Sequence, residues 1–289
     1  MNWKAQMPTY PDTLHGMGVV MQKEREVLRG VMAAAVAALE TNCSEAFRQW
    51  NSVWQDDAGG GAPGLFYEMT GSSMTENVLL SQEPHEFSQS NAWLALPATA
   101  AAFHYSGIPG SSMDEGGPVY HAMVESGDFC APSSPIYADL ASTLDDFDLM
   151  VFSSTSDPLL GPPTTEAGVE AVVADFDPNL NQAKAKWEAA KKTVWKVAEA
   201  DRAVAGYSKC IEGIGPNGNN RFCYVVVRNG GHELPAFQPR VAYDMFRRFV
   251  AKAPFDKAGE SDAVPNTPQC SGVPPFAGPN GAGVKGCPP

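Results

Sequence analysis

Apolar residues recur at helical spacing between Lys23 and Trp54, in the stretch EREVLRGVMAAAVAALETNCSEAFRQWNSVW. Apolar positions at i, i+3, i+4 and i+7 are the mark of a helix with one buried face. Thr41, Asn42 and Ser44 interrupt the pattern and are residue types that cap the amino terminus of a helix. We therefore predict two helices joined by a short turn.

Two shorter apolar runs, DLMVF ending at Phe152 and CYVVV ending at Val227, are typical of strands covered on both faces. A turn and a helical pattern, SDPLLGPPTTEAGVEAVV, follow the first run and complete a unit of strand, loop and helix. This succession indicates an α/β fold, and we expect both strands to lie in the interior of a sheet.

The chain closes with a helix and a tail. QPRVAYDMFRRFV places apolar residues on one helix face at Ala242, Met245, Phe246 and Phe249. From Pro254 onward, proline and glycine are too frequent for a helix or a strand ladder. An extended tail is expected there.

Charge narrows the choice of partner. The 289 residues include 33 acidic and 20 basic side chains, a formal net charge of −13. Nucleic acids and anionic membranes attract basic surfaces, so neither is expected as a partner. No apolar run reaches the length of a membrane span, and the first residues lack the basic start and apolar centre of a secretory signal.

Six cysteines are present, without a C-x-x-C pair of the kind that binds zinc or exchanges disulfides. Disulfides are one interpretation, and inert thiols in a reducing compartment are the other. One pair flanks a glycine- and asparagine-rich turn and could bridge a hairpin, while another could close a loop in the tail. These pairs are Cys210 with Cys223 and Cys270 with Cys287; Cys43 and Cys130 complete the set of disulfide candidates.

Two loops follow the predicted strands, SSTSDP after the first and NGGHELP after the second. Open α/β sheets place their sites at the carboxyl ends of strands. Asp157 and His232 would there form the last two members of a Ser, Asp, His triad, in the chain order of α/β-hydrolases. Each also has a plainer interpretation, because an aspartate before Pro158 can simply close a turn and His232 can be an ordinary loop histidine.

These stretches resemble the serine carboxypeptidases, which are α/β-hydrolases with a helical insertion. VVVRNGGHELPAFQPRVAYDMFRRF is similar to the family's histidine motif, although Leu234 replaces the more usual valine. DLMVFSSTSDP is similar to its aspartate strand, with Ser154 in place of glycine, and PTYPDTLHGMGVVMQKERE resembles the stretch that leads into the insertion. The resemblance implies that Asp157 and His232 are the triad aspartate and histidine.

The resemblance also implies a partial α/β-hydrolase sheet with a helical insertion. Residues 1–21 would be a core segment leading into the insertion, and residues 22–110 the mainly helical insertion. Residues 111–253 would be the hydrolase core with the aspartate and histidine loops, and residues 254–289 the Pro/Gly-rich tail.

The nucleophile is not recognisable in this sequence. The family's serine lies in a G-E-S-Y-A-G elbow, and no G-x-S-x-G occurs here. Serines beside glycines lack the second glycine of an elbow and are expected to be loop residues: Ser72, Ser73, Ser111 and Ser112. We expect the carboxyl-terminal part of a hydrolase, because a sheet without its first strands would expose an edge prone to aggregation.

By resemblance, the reaction is release of carboxyl-terminal residues from peptides, without a cofactor, by a triad whose serine is not on this chain. The serine would belong either to a missing front part of the same chain or to a second chain. The resemblance further implies the secretory pathway, in a vacuole, a lysosome or outside the cell, with the signal peptide absent from this chain. Two alternatives stay open: an inactive binding or structural subunit, and an acyltransferase of the same family.

Overall fold

A mixed sheet of four strands organises the second half of the computed structural model, which describes residues 2–55, 64–81, 96–102, 118–176 and 182–257. The strands are β1 (Leu149–Ser154), β2 (Thr193–Trp195), β3 (Gly206–Ile214) and β4 (Asn220–Val227), in the spatial order β1-β4-β3-β2. β1 and β4 run parallel, with Ser154 opposite Val227. β3 is antiparallel to both β4 and β2. Both predicted strands therefore lie in one sheet and end at the same edge.

The two predicted strands differ in their cover. Every residue of β4 is buried, as its continuous apolar run predicts. In β1 only Ser153 and Ser154 are buried, and Phe152 is 41% exposed. Within the described residues β1 pairs with β4 alone, at the edge of the sheet. Within the described residues, the expectation that both strands occupy the interior therefore holds for β4 but not for β1, because an apolar run does not reveal whether a strand has one neighbour or two.

Helices precede the sheet and cover its faces. They are α1 (Trp3–Gln6), α2 (Tyr10–Gly16), α3 (Gln22–Leu39), α4 (Cys43–Asn51), α5 (Leu65–Thr70), α6 (Pro97–Ala102), α7 (Pro118–Glu125), α8 (Ser134–Thr143), α9 (Pro162–Ala174), α10 (Ala183–Ala189), α11 (Leu234–Phe237) and α12 (Pro239–Val250). The predicted pair of helices is α3 and α4, and the Asn42 side chain caps α4 by accepting the Glu45 N–H at 3.1 Å. Among the described residues, no helix combines the length and the apolar character needed to cross a membrane.

The buried apolar residues form a cluster on each face of the sheet and a third cluster among the amino-terminal helices. On one face α8, α9 and α10 pack on β3 and β4 around Val169, Trp187 and Phe222. On the other face α12 packs around Trp195 and Val225. The third cluster belongs to α1 to α5 and includes Tyr10, Leu28, Met32, Trp54 and Phe66. Helices therefore pack on both faces of the sheet at β4, whose residues are all buried.

The closing helix forms as predicted, but its buried face is different. Ala242 and Met245 are buried, whereas Phe246 is 62% exposed. The buried side of the helix carries an ion pair instead, with Arg248 Nε donating to Asp244 Oδ2 at 2.7 Å. With Asp244 and Arg248 on the buried side of α12, Phe246 lies on its exposed side. An apolar count alone could not reveal this, because charged residues are seldom buried unless they are paired.

Disulfides link two pairs of the candidate cysteines. Cys210 and Cys223 are register partners in β3 and β4 and form the bridge across the hairpin. Cys43 at the start of α4 is bonded to Cys130. The described part of the chain holds no free cysteine, while Cys270 and Cys287 lie outside the described residues. Two disulfides favour an oxidising compartment over the alternative of inert thiols.

Candidate active site

The first site loop follows β1 and carries Asp157, which is 4% exposed. Its Oδ1 accepts the backbone N–H groups of Leu159 at 2.8 Å and Leu160 at 2.9 Å. One carboxylate oxygen therefore closes the turn before α9, as the plainer interpretation of this aspartate predicted. The other oxygen remains for a partner across the sheet edge.

The second site loop follows β4 and carries His232. Asn229 adopts the left-handed conformation, with φ of 57°, where the chain leaves the strand. The next two residues are glycines because the loop packs closely on its surroundings. A Cβ at Gly230 would lie 2.8 Å from Ser154 Oγ, and one at Gly231 would lie 2.5 Å from the carbonyl oxygen of Glu76. A larger residue at position 231 would therefore require the backbone of one of the two segments to shift.

The two loops meet at the histidine. His232 Nδ1–H donates to Asp157 Oδ2 at 3.1 Å, with 35% of the histidine side chain and 5% of the aspartate side chain exposed. The bond holds the ring through Nδ1 and leaves Nε2 as the nitrogen that can accept a proton. Asp157 thus uses both carboxylate oxygens, since Oδ1 closes the turn and Oδ2 accepts the imidazole N–H.

Three further hydrogen bonds join the loops to each other. Ser156 N–H donates to the Gly230 carbonyl at 3.0 Å, and Thr155 N–H donates to the Val227 carbonyl at 2.9 Å. In the opposite direction, Asn229 N–H donates to Thr155 Oγ1 at 2.9 Å. The parallel pairing of β1 and β4 therefore continues past the strand ends and sets the separation of the two side chains.

The surroundings of His232 favour its protonated form. Burial of the ring lowers its pKa, but the hydrogen bond and the charge of Asp157 act in the opposite direction, together with the charges of Glu76 and Glu233. The balance raises the pKa of His232 above its ordinary value of 6.5. The pair is therefore electrostatically coupled as well as hydrogen-bonded.

A third segment of the site was missed by the sequence analysis. The turn Glu76–Val78, which we name the bridging segment, follows α5 and contacts both loops. His232 N–H donates to the Glu76 carbonyl at 2.7 Å, and Val78 N–H donates to the Ser156 carbonyl at 2.9 Å. The polar and apolar pattern of this region gives no signal of such contacts, because they are made by backbone groups.

The structure also places two of the serines beside glycines and a groove beside β1. Ser72 is a turn residue whose Oγ accepts the Met74 N–H at 3.1 Å, and Ser73 is exposed; Ser111 and Ser112 lie outside the described residues. A groove of about 300 Å³ runs beside β1, lined by residues of β1, α1, α8 and α9. Asp157 and His232 are not among its lining residues. The groove follows the open edge of the sheet rather than the strand ends.

A parallel strand pair whose loops bring aspartate and histidine together is the arrangement of an α/β-hydrolase. The family model for serine carboxypeptidases matches residues 1–252. This chain belongs to the serine carboxypeptidase family. The family resemblance predicted from the two loops is therefore confirmed, as is the partial α/β-hydrolase fold.

Individual relatives agree with this membership. The chain is 24% identical over 242 residues to a probable serine carboxypeptidase, CPVL, of Rattus norvegicus, covering 83% of this chain and 46% of the relative. A probable serine carboxypeptidase of Dictyostelium discoideum is 24% identical over 259 residues, covering 86% of this chain and 45% of that one. The chain thus spans about half the length of these curated relatives.

A solved structure shares the fold. The prohormone-processing carboxypeptidase Kex1 of Saccharomyces cerevisiae matches with a TM-score of 0.52 at 12% identity, covering 87% of this chain and 52% of that one. The likeness concerns the fold alone.

Proposed function

We propose that this chain is the carboxyl-terminal part of a serine-type carboxypeptidase-like hydrolase. The observation that carries the proposal is the 3.1 Å hydrogen bond between His232 Nδ1 and Asp157 Oδ2 at the shared edge of β1 and β4. In this geometry Nε2 of the ring is the proton acceptor and Asp157 is the residue that orients it. Family membership supports the same assignment of roles.

The proposed chemistry is acyl transfer from a peptide to a serine and then to water. His232 Nε2 takes the proton from the serine hydroxyl as the oxygen attacks the last peptide carbonyl. The imidazolium then gives that proton to the departing amino group, and the C–N bond breaks. Water, deprotonated by the same nitrogen, hydrolyses the ester, and the serine recovers its proton. Asp157 stabilises the charged ring in both halves of the cycle. No cofactor takes part in this scheme.

The serine comes, in this proposal, from polypeptide outside the present sequence, because these 289 residues contain no G-x-S-x-G. A second chain carrying it would dock along β1. Within the described residues β1 has one strand neighbour, Phe152 is 41% exposed and an apolar groove runs beside the strand. An edge strand of this kind pairs readily with another strand.

Peptides are the proposed substrates, and the secretory pathway is the proposed location. The disulfides Cys43–Cys130 and Cys210–Cys223 are typical of proteins that fold in oxidising compartments. Within that pathway we propose a vacuole, a lysosome or the extracellular space. Neither nucleic acid nor a membrane is a proposed partner, since the net charge is −13.

The experiment is activity-based labelling of the native protein. The tagged chain is purified from its source cells and treated with a fluorophosphonate, which reacts covalently with activated serines. We expect a labelled serine on a longer form of this chain or on an associated chain. Mass spectrometry of the labelled peptide should find a G-x-S-x-G sequence. Absence of any label would contradict the proposal and favour the binding or structural role.

Matched variants separate the two parts of the proposal. His232→Gln should abolish labelling, whereas His121→Gln changes an exposed histidine on α7 and should preserve it. Phe152→Asp should prevent docking at β1, whereas Phe246→Asp changes an exposed phenylalanine on α12 and should not. Labelling that survives His232→Gln would remove the histidine from the mechanism. A labelled partner that survives Phe152→Asp would place the docking surface elsewhere.

A further inference from the structure

The bridging segment Glu76–Val78 reaches the residues that orient each other in the candidate site. Its first residue accepts the backbone N–H of His232 itself at 2.7 Å. Its last residue donates to the carbonyl of Ser156 at 2.9 Å, and Ser156 directly precedes Asp157. The segment therefore makes one hydrogen bond to each loop at the position where that loop carries its titratable side chain.

Side-chain packing fits the segment against the histidine loop. A Cβ at Gly231 would lie 2.5 Å from the Glu76 carbonyl oxygen and 2.7 Å from Asn77 Cβ. Real Cβ atoms do not approach other atoms so closely, so glycine is required at position 231 for this contact. The close approach explains the second glycine of the NGGHELP loop without any unusual backbone angle at that residue.

Asn77 fixes the shape of the segment. It is 3% exposed, and its Oδ1 accepts the Leu79 N–H at 3.0 Å. Its backbone carbonyl accepts the Leu80 N–H at 3.0 Å. Two hydrogen bonds from one buried residue close the turn, a use to which asparagine is well suited. With the turn closed, Glu76 and Val78 present their backbone groups to the two loops.

We propose that Glu76–Val78 is a positioning element for the His232–Asp157 pair, and that Asn77 is the residue that holds its shape. By bonding to both loops, the segment fixes the position of the histidine loop relative to the aspartate loop. It thereby sets the distance between His232 Nδ1 and Asp157 Oδ2. The proposal deepens the proposed function, on which its catalytic meaning rests. The positioning role itself can be tested on this chain alone, because all of the contacts that support it lie within the chain.

The charge of Glu76 adds a separate effect. Together with Asp157 and Glu233 it raises the pKa of His232, against the opposing effect of burial. Glu76→Gln retains the backbone carbonyl that accepts the His232 N–H but removes the charge. This substitution therefore separates the electrostatic contribution of the segment from its positioning contribution.

The test is NMR spectroscopy of the full chain, labelled with ¹⁵N, which follows the ring nitrogens of His232 against pH. Asn77→Ala and Gly231→Ala should lower the pKa of His232 by about half a pH unit or more and should weaken the downfield signal of its Nδ1 proton. Glu76→Gln should lower the pKa but leave the downfield signal in place. Asn42→Ala is the matched control, because it removes an equivalent bond from side chain to backbone at α4.

Hydrogen exchange on the unaltered chain gives a second readout that does not depend on the variants folding. The amides of His232 and Val78 should exchange together, at least about 100-fold more slowly than in an unstructured peptide. Unprotected amides would overturn the proposal. So would an unchanged pKa and an unchanged downfield signal in folded Asn77→Ala and Gly231→Ala proteins.

These results are distinguishable from failure of the proposed function. If the variants behave as expected but no serine is ever labelled, the segment positions the pair and the hydrolase proposal fails. If a serine is labelled in the native protein but the variants leave His232 unchanged, the hydrolase proposal stands and the positioning role fails.

Discussion

β1 and β4 are neighbours with similar apolar sequences and very different surroundings. β4 lies between two strands and is buried along its whole length, whereas β1 borders one strand and exposes 41% of Phe152. Phe152 and Val225 are register partners, so the contrast holds between two adjacent residues on one face. An apolar run thus indicates that a strand is suited to burial. Within the described chain only β4 is buried along its whole length.

The largest expected effect is on stability and tests this difference in burial directly. Val225 is fully buried, so Val225→Asp would place an unpaired charge in the core. We expect a loss of about 5 kcal/mol or more, enough to unfold the chain. Phe152→Asp, at the register partner, should cost about 1 kcal/mol because its side chain already meets solvent. Urea unfolding followed by circular dichroism measures both, and equal losses would show that β1 is as well covered as β4.

The helix that covers β4 provides the second test. Asp244 is 1% exposed and accepts hydrogen bonds from Trp195 Nε1 at 2.9 Å and Arg248 Nε at 2.7 Å. Asp244→Ala leaves the arginine charge buried without its partner, which should cost about 3–5 kcal/mol.

The control for Asp244 is an exposed pair on the same side of the molecule. Asp201 binds Arg240 at 3.0 Å, with half of the arginine side chain exposed. Asp201→Ala should cost less than about 1 kcal/mol. Chemical denaturation of both variants measures the loss of unfolding free energy that each substitution causes. Similar costs would mean that α12 does not depend on its buried ion pair.

A third and smaller effect on stability concerns the buried polar side chains of the two strands, which differ in the hydrogen bonds that they make. Asn220, at the start of β4, donates to the carbonyls of Ala141 at 3.0 Å and Leu144 at 2.7 Å and accepts the Phe147 N–H at 2.8 Å. Asn220→Ala would leave these buried groups unsatisfied, and we expect a loss of about 2–3 kcal/mol.

The matched change in β1 is Ser153→Ala. Ser153 Oγ bonds Tyr224 Oη at 2.9 Å, but the tyrosine also donates to the Pro162 carbonyl at 3.0 Å and so retains a partner. We expect about 1 kcal/mol or less. Thermal unfolding of the two variants compares their losses of stability. A larger loss for Ser153→Ala than for Asn220→Ala would contradict the expectation that β4 has the stronger polar contact.

The same contrast explains what the sequence could predict. The proximity of Asp157 and His232 was predictable because each lies in the loop that follows its own strand, and parallel strands end at one edge of a sheet. The pairing of Cys210 with Cys223 was predictable for a similar reason, since both flank one hairpin turn. These predictions required only local patterns and one rule of topology.

Other features depend on contacts between distant parts of the chain. The bridging segment reaches His232 through backbone groups, which no side-chain pattern encodes. Phe246 is exposed while Asp244 and Arg248 are buried as a pair, and a count of apolar residues does not reveal that pairing. The edge position of β1 likewise depends on its neighbours. The division into core, insertion and tail stays a prediction.

The smallest effect on stability concerns the pH dependence of the histidine at the end of β4. The folded-state pKa of His232 is raised above the ordinary value of 6.5. Its ion pair with Asp157 therefore stabilises the fold fully below the unfolded pKa, and this contribution is lost as the pH rises through the folded pKa. The effect is small because 35% of the side chain meets solvent, which screens the charges.

Comparison with His232→Gln isolates this contribution, since glutamine does not titrate. The free energy of unfolding of the original chain should exceed that of the variant most at about pH 5, and the difference should shrink towards about pH 9. His121→Gln should show no such trend. A difference that grows with pH would mean that burial outweighs Asp157 and that the pKa of His232 is lowered. The ring would then be held mainly as neutral imidazole, and fluorophosphonate labelling of the native protein would persist into acid rather than rising with pH.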